Sequence, residues 1–82
     1  MRLHKRSYTV IFEPLETGGY AVAVPALPEI VTSGRNLREA REMAQDAIRC
    51  VLEGLAIERR PFPRDVVARP RAEKLNVTLK VA

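Results

Sequence analysis

Few side chains in this sequence are equipped for metal or covalent chemistry. His4 is the lone histidine and Cys50 the lone cysteine. A reactive thiolate needs an activating base or cation beside it, and a zinc site needs three or four converging ligands. One copy of each residue excludes an internal disulfide and any multi-cysteine metal site. The carboxylates are more numerous but do not converge. Glu13 and Glu16 flank a glycine turn, Glu29 follows a proline pair, and Glu39, Glu42, Asp46 and Glu53 fall on the polar side of a helical pattern. Metal-dependent nucleases gather several acidic groups on one or two cations, and no aspartate here lies inside a strand-like run. Ser7 and Ser33 are the only serines, so no Ser-His-Asp set is available. Gly18-Gly19 precedes a strand rather than a helix, unlike a phosphate-binding loop. These residue types point away from an enzyme, a metal site or a bound cofactor, and toward a protein that works by contact.

Charge narrows the class of partner. Fourteen basic residues against ten acidic ones give a net charge of +4, and arginine supplies 11 of the 14. Arg59, Arg60, Arg64, Arg69, Arg71 and Lys74 form one cationic stretch, diluted by Asp65 and Glu73. Such a stretch permits phosphate contact. Stacking on bases finds little support, because the chain holds two tyrosines, two phenylalanines and no tryptophan, and only Phe62 falls in this stretch. The positive residues are otherwise spread along the chain, as on a solvated surface. DNA binding is not expected, since no helix-turn-helix follows the main helix and the paired helices of a ribbon–helix–helix module are absent. The hydrophobic share of 46% and the charged share of 29% are ordinary for a globular protein. No run approaches the roughly 18–20 apolar residues of a membrane span. The opening MRLHKRSYTV lacks the apolar core of a signal peptide. The expectation is a soluble cytoplasmic protein without a membrane partner.

The elements that must position these groups follow from local pattern. Residues 7–13, SYTVIFE, are β-branched and aromatic, as strands favour. Both faces are apolar, which suits a central strand or one covered on both sides. Residues 15–19 hold adjacent glycines that permit a hairpin loop of about five residues. Residues 20–24, YAVAV, place Tyr20, Val22 and Val24 on one face and small alanines on the other, where a helix could pack closely. Pro25 and Pro28 bar a helix and stiffen the next connection. Residues 29–33 suit a short strand closed by Gly34. Asn36 then caps a helix with Glu39 three positions on. Leu37, Ala40, Ala44, Ala47, Ile48, Val51, Leu52 and Leu55 recur at steps of three or four and form one apolar stripe. Cys50 reads as a small, partly buried helix residue. The helix stops at Gly54 or runs to about Arg60, before Pro61. Val66-Val67 suggests a brief strand pairing. Residues 75–81, LNVTLKV, alternate cleanly and predict a final strand. The order β-β-β-α-β makes one small α+β domain over residues 1–82, a two-layer sandwich. A core this small and a strand edge this clean both favour a homo-oligomer, a dimer or tetramer.

These residues resemble the HicB-like antitoxin family. The resemblance rests on the Tyr8-Thr9-Val10 strand, the Glu16, Gly18, Gly19 turn, and Tyr20 leading to Val24-Pro25. It continues through Leu27-Pro28, Thr32, Gly34, the helix opening Leu37-Arg38-Glu39-Ala40, and Ala44, Ala47, Ile48, Leu52, Glu53 and Leu55. It covers residues 7–63. It implies a partial ribonuclease H-like fold without catalytic acids, and a role in neutralising a small HicA-like toxin, an mRNA-cleaving ribonuclease. Many members add a C-terminal DNA-binding domain, which this sequence lacks. Glu29 stands where the family commonly has glycine. Pro25, Pro28, Thr32, Gly34, Glu39 and Ala40 read as determinants of the fold. Tyr20, Leu27, Glu29 and Arg35, near the proline loop, are the candidates for partner contact. The alternative is an orphan homo-oligomer that touches RNA weakly through residues 59–74.

Overall fold

The computed structural model describes residues 5–81. Three antiparallel strands, β1 (Ile11–Pro14), β2 (Tyr20–Ala23) and β3 (Thr32–Gly34), form one sheet in the order β1-β2-β3. One helix, α1 (Leu37–Ile57), covers one face of it. The hairpin loop spans residues 15–19, as its glycines require. Leu15 N–H donates to Gly19 O at 2.8 Å, and Gly18 takes a φ of 94° that only glycine adopts freely. Pro14 closes the β1 ladder opposite Tyr20, a place where its missing N–H does no harm.

The core is six residues: Val22, Val24, Leu27, Ile30, Ala40 and Ala44. Phe12 and Tyr20 pack around it from the sheet, Tyr8 and Val10 from the segment leading into β1, and Ala47, Ile48 and Val51 from the helix. The helix therefore sits on the Tyr20–Val22–Val24 face, not on the alanine face as the small side chains of Ala21 and Ala23 suggest. Close approach comes instead from the helix's own alanines and from Gly34. A Cβ built on Gly34 would lie 2.6 Å from the Cα of Ala40 and would overlap its backbone nitrogen. Strand β1 is also an edge rather than a central strand. Its flank is held by the chain after the helix: the Tyr8 hydroxyl donates to Pro63 O at 2.6 Å, and Thr9 donates twice to the Asp65 carboxylate, at 2.7 Å from N–H and 2.8 Å from Oγ1.

The helix begins where its cap predicts. Asn36 accepts from Glu39 N–H at 2.8 Å, and Glu39 reaches back to accept from Arg35 N–H at 3.2 Å. This is a capping box displaced by one residue, since the usual return bond goes to the cap itself. The helix passes through Gly54 and ends in a Schellman arrangement. Arg60 N–H donates to Leu55 O and Arg59 N–H to Ala56 O. Arg59 holds the left-handed position with a φ of 55°, where glycine is usual.

At about 1.5 Å per residue the helix is roughly 30 Å long, well beyond the reach of four-residue strands. Its second half overhangs the sheet. Val51, Leu52 and Leu55 are half-buried, Cys50 is exposed rather than partly buried, and Ile57 is 84% exposed. The largest departure from the sequence pattern follows. No regular element forms after the helix among the described residues. Val66-Val67 makes no strand, and residues 75–81 do not return to the sheet. Leu75, Val77, Leu79 and Val81 are 75–83% exposed. The Cα radius of gyration is 17.3 Å, against about 12 Å for a compact chain of this length. The difference is this extended arm. Residues 63–65 bond only to Tyr8 and Thr9, ahead of β1, and β3 is three residues long, so the chain after the helix adds no strand to either edge of the sheet.

Candidate contact site

The connection from β2 to β3 is built from two consecutive β-turns. Leu27 N–H donates to Val24 O at 2.9 Å and Ile30 N–H to Leu27 O at 3.1 Å. Pro25 and Pro28 occupy the second position of each turn, where a fixed φ near −65° suits them. The repeat of three points Val24, Leu27 and Ile30 into the core. Pro28 and Glu29 are left exposed and Pro25 and Ala26 half-exposed. Glu29 takes no positive φ; Arg59 is the one non-glycine residue that does among those described. The second turn is therefore not of the kind that demands glycine at its third position, and glutamate fits here without backbone strain.

Between these turns and the helix overhang lies an open groove of about 380 Å³. Leu27, Val51 and Leu55 floor it, and Glu29, Glu58 and Arg60 stand at its rim. Arg60 Nη1 lies 3.6 Å from Glu58 Oε2. Cys50 lines the same groove as a free thiol. A second open depression, of about 270 Å³, lies at the other end of the sheet, beside the hairpin loop. Arg35 and Glu39 border it and are paired: Arg35 Nε donates to Glu39 Oε2 at 3.0 Å and Nη2 lies 2.9 Å from it. These bonds from the Arg35 side chain, with the bond from its backbone N–H, hold the Glu39 carboxyl below the usual carboxylate range. The same pairing raises the guanidinium of Arg35. Asp65 is lowered too, first by the Thr9 backbone N–H and then by the Thr9 hydroxyl.

The four contact candidates thus divide. Glu29 is exposed at the groove rim, whereas Leu27 is 1% exposed and is an anchor of the loop rather than part of its outer surface. Tyr20 is half-buried and pairs with Gly34 at the opposite end of β2, near Arg35. Tyr20 and Arg35 therefore lie toward one end of the sheet, and Leu27 and Glu29 toward the other. The structure adds residues that spacing did not single out, namely Ala26, Val51, Leu55 and Glu58, which meet Glu29 only because the helix folds back past the turns. Their signal in the sequence is the apolar stripe continuing for two turns beyond what a sheet of short strands can cover.

His4 lies outside the described residues. Among those described, no three of His, Cys, Asp and Glu cluster as metal ligands would, and no helix is long and apolar enough to cross a membrane. In the basic stretch, Phe62 is half-buried with the Arg6 guanidinium 5.3 Å from its ring centroid. One face of the ring is therefore already occupied.

No family model matches the chain. A UPF0150 protein from Thermoplasma acidophilum is 43% identical to it over 70 residues, which is 85% of this chain and 94% of that protein. Antitoxin HicB 1 from Photorhabdus laumondii subsp. laumondii is 51% identical over 41 residues, 50% of this chain. The match spans 26% of that antitoxin's length. The first relative is similar along nearly its whole length, and the second over half of this chain. The chain belongs to the UPF0150 family, and its type is HicB-like.

Proposed function

We propose that the protein is a non-catalytic, antitoxin-type module that neutralises a small mRNA-cleaving, HicA-like toxin by direct contact. The contact surface is the tandem-turn loop with the groove beside it. The observation that carries this reading is the pair of prolines that hold Pro28 and Glu29 outward on a loop anchored by three core residues. A contact surface fixed before binding loses little conformational freedom on association. The similarity to Antitoxin HicB 1 supports the same role. The net charge of +4 does not attract an RNA-binding, basic partner. Glu29 and Glu58 at the groove rim supply local acidity where the contact is made.

The finer parts of this reading go together. The sheet and helix form the greater part of a partial ribonuclease H-like scaffold. The protein works in the cytoplasm, where mRNA is translated, and as a homo-oligomer, because six buried residues make too small a core for robust stability alone.

Co-expression with the neighbouring reading frame tests it. A small neighbour that is toxic alone, harmless with this chain and co-purified with it is the expected result. Glu29→Arg should weaken co-purification while leaving the helix signal in circular dichroism unchanged. A neighbour that is neither toxic nor bound would overturn the proposal.

A further inference from the structure

The net positive charge of this protein belongs to one end of it. Residues 1–58 carry seven basic and eight acidic side chains, whereas residues 59–82 carry seven basic and two acidic ones. The net charge is therefore −1 over the first part and +5 over the second. We propose that the arm after the helix binds the phosphate backbone of a nucleic acid without reading its sequence. This goes beyond the toxin-contact reading and rests on different residues, so the two are tested separately.

The structure leaves the arm's cations available. Arg64, Arg69, Arg71, Lys74 and Lys80 are all exposed. None of them takes part in a salt bridge among the described residues. The body differs: Arg35, Arg38 and Arg49 each meet a carboxylate at 2.9–3.6 Å. One of the arm's two acids is also turned away from it. The Asp65 carboxylate accepts two hydrogen bonds from Thr9, which leaves Glu73 as the only acidic residue from 66 onward.

The chemistry of the row favours phosphate. Five of the six cations in residues 59–74 are arginines, whose planar guanidinium takes phosphate oxygens two at a time. Pro61, Pro63 and Pro70 keep the chain extended. At about 3.3 Å per residue, Arg64 to Lys74 spans roughly 33 Å. A linear row of charge of this kind suits a linear polyanion better than a flat anionic surface. Nothing in the arm can read bases. It forms no helix to enter a groove, and one face of Phe62 is covered by Arg6, so stacking is not available as a platform.

Fluorescence anisotropy on the full chain tests this, with a short labelled single-stranded RNA and a short duplex DNA of unrelated sequence as probes. Four phosphate contacts give a log–log salt slope of about −3 on a single strand, or about 50-fold weaker binding between 50 and 200 mM salt. Changing the RNA sequence should leave affinity unchanged. Replacing Arg69, Arg71 and Lys74 together with Gln should weaken binding by more than about tenfold and flatten the slope to about −1. Replacing Arg38, Arg41 and Arg49 on the helix with Gln lowers the net charge equally and should leave the affinity close to native. Both probes carry the proposed chemistry, and a preference for one names its source. The proposal is overturned if neither probe binds at the lower salt, or if the helix triple costs as much as the arm triple. Binding to anionic lipid vesicles but to neither nucleic acid overturns it as well.

Discussion

The backbone of Ala40 in the helix occupies the space where a side chain on Gly34 of β3 would stand. That contact joins the sheet to the first turn of the helix and sets how deeply Ala40 and Ala44 seat over Val22. Gly34→Ala must push the helix away, because the clash is with backbone rather than with a side chain that could swing aside. Overpacking of this kind costs about 3 kcal/mol. Urea denaturation should show that loss against the native protein, whereas Gly54→Ala, where a Cβ meets nothing within 4 Å, should be neutral or stabilising by about 1 kcal/mol.

Leu27 and Glu29 sit two residues apart in the same loop and should respond oppositely to truncation. Leu27→Ala removes a fully buried side chain and should cost about 3 kcal/mol. Glu29→Ala removes an exposed one and should change stability by no more than about 0.5 kcal/mol. If the proposed function holds, their order should reverse when retention of the co-expressed partner is measured on a column for folded samples of each variant, with Glu29→Ala the more damaging. Equal stability of the two variants in guanidinium would contradict the buried-anchor description.

Arg59 holds a left-handed conformation that glycine adopts without cost. Relieving it with Arg59→Gly should stabilise the protein by about 1 kcal/mol. For a domain of this size that corresponds to a rise of about 4–8 °C in melting temperature, measurable by circular dichroism. Arg59→Val, with a branched Cβ in the same conformation, should lower it.

Asp65 ties the segment after the helix to the residues leading into β1 through Thr9. Its folded carboxyl titrates below the ordinary range, so its stabilising contribution is present above that range and disappears as pH falls through the lowered folded value. Acidification should release the amide of Thr9 to hydrogen exchange while the amides of α1 remain protected. Asp65→Asn should expose Thr9 to exchange already at neutral pH and remove most of its pH dependence. Unchanged protection of Thr9 in that variant would show that the tie is not made by the carboxylate.

The parts of the fold legible from sequence are those fixed by local chemistry. Adjacent glycines placed the hairpin loop at 15–19, and the Asn36–Glu39 spacing placed the start of the helix. Both depend on neighbours within a few residues. Which face of the sheet the helix would take was not legible. Ala21 and Ala23 offered one close-packing face, yet Ala40 and Ala44 made the helix itself narrow enough to sit over valines. The alternation in 75–81 predicted a final strand that does not form, because alternation says that a strand needs a partner and not which one. Among the candidate contact residues, Leu27 could be read as surface because it lies between prolines. Only the hydrogen bonds of the two turns show that every third residue points inward. Tyr20 and Arg35 drew attention beside Glu29 through closeness in sequence, and the length of β2 separates them.

The three-residue rhythm of Val24, Leu27 and Ile30 has a consequence for how such a protein can diverge. What holds the loop and what the loop displays are carried by different positions. Exchanges at Ala26 and Glu29 alter shape and charge on the outside without disturbing the side chains that anchor it. Recognition can therefore drift in single steps, each compatible with an intact scaffold. A duplicated copy could acquire a new cognate by two or three surface replacements, and paralogues within one genome could stay insulated from one another while sharing nearly identical interiors.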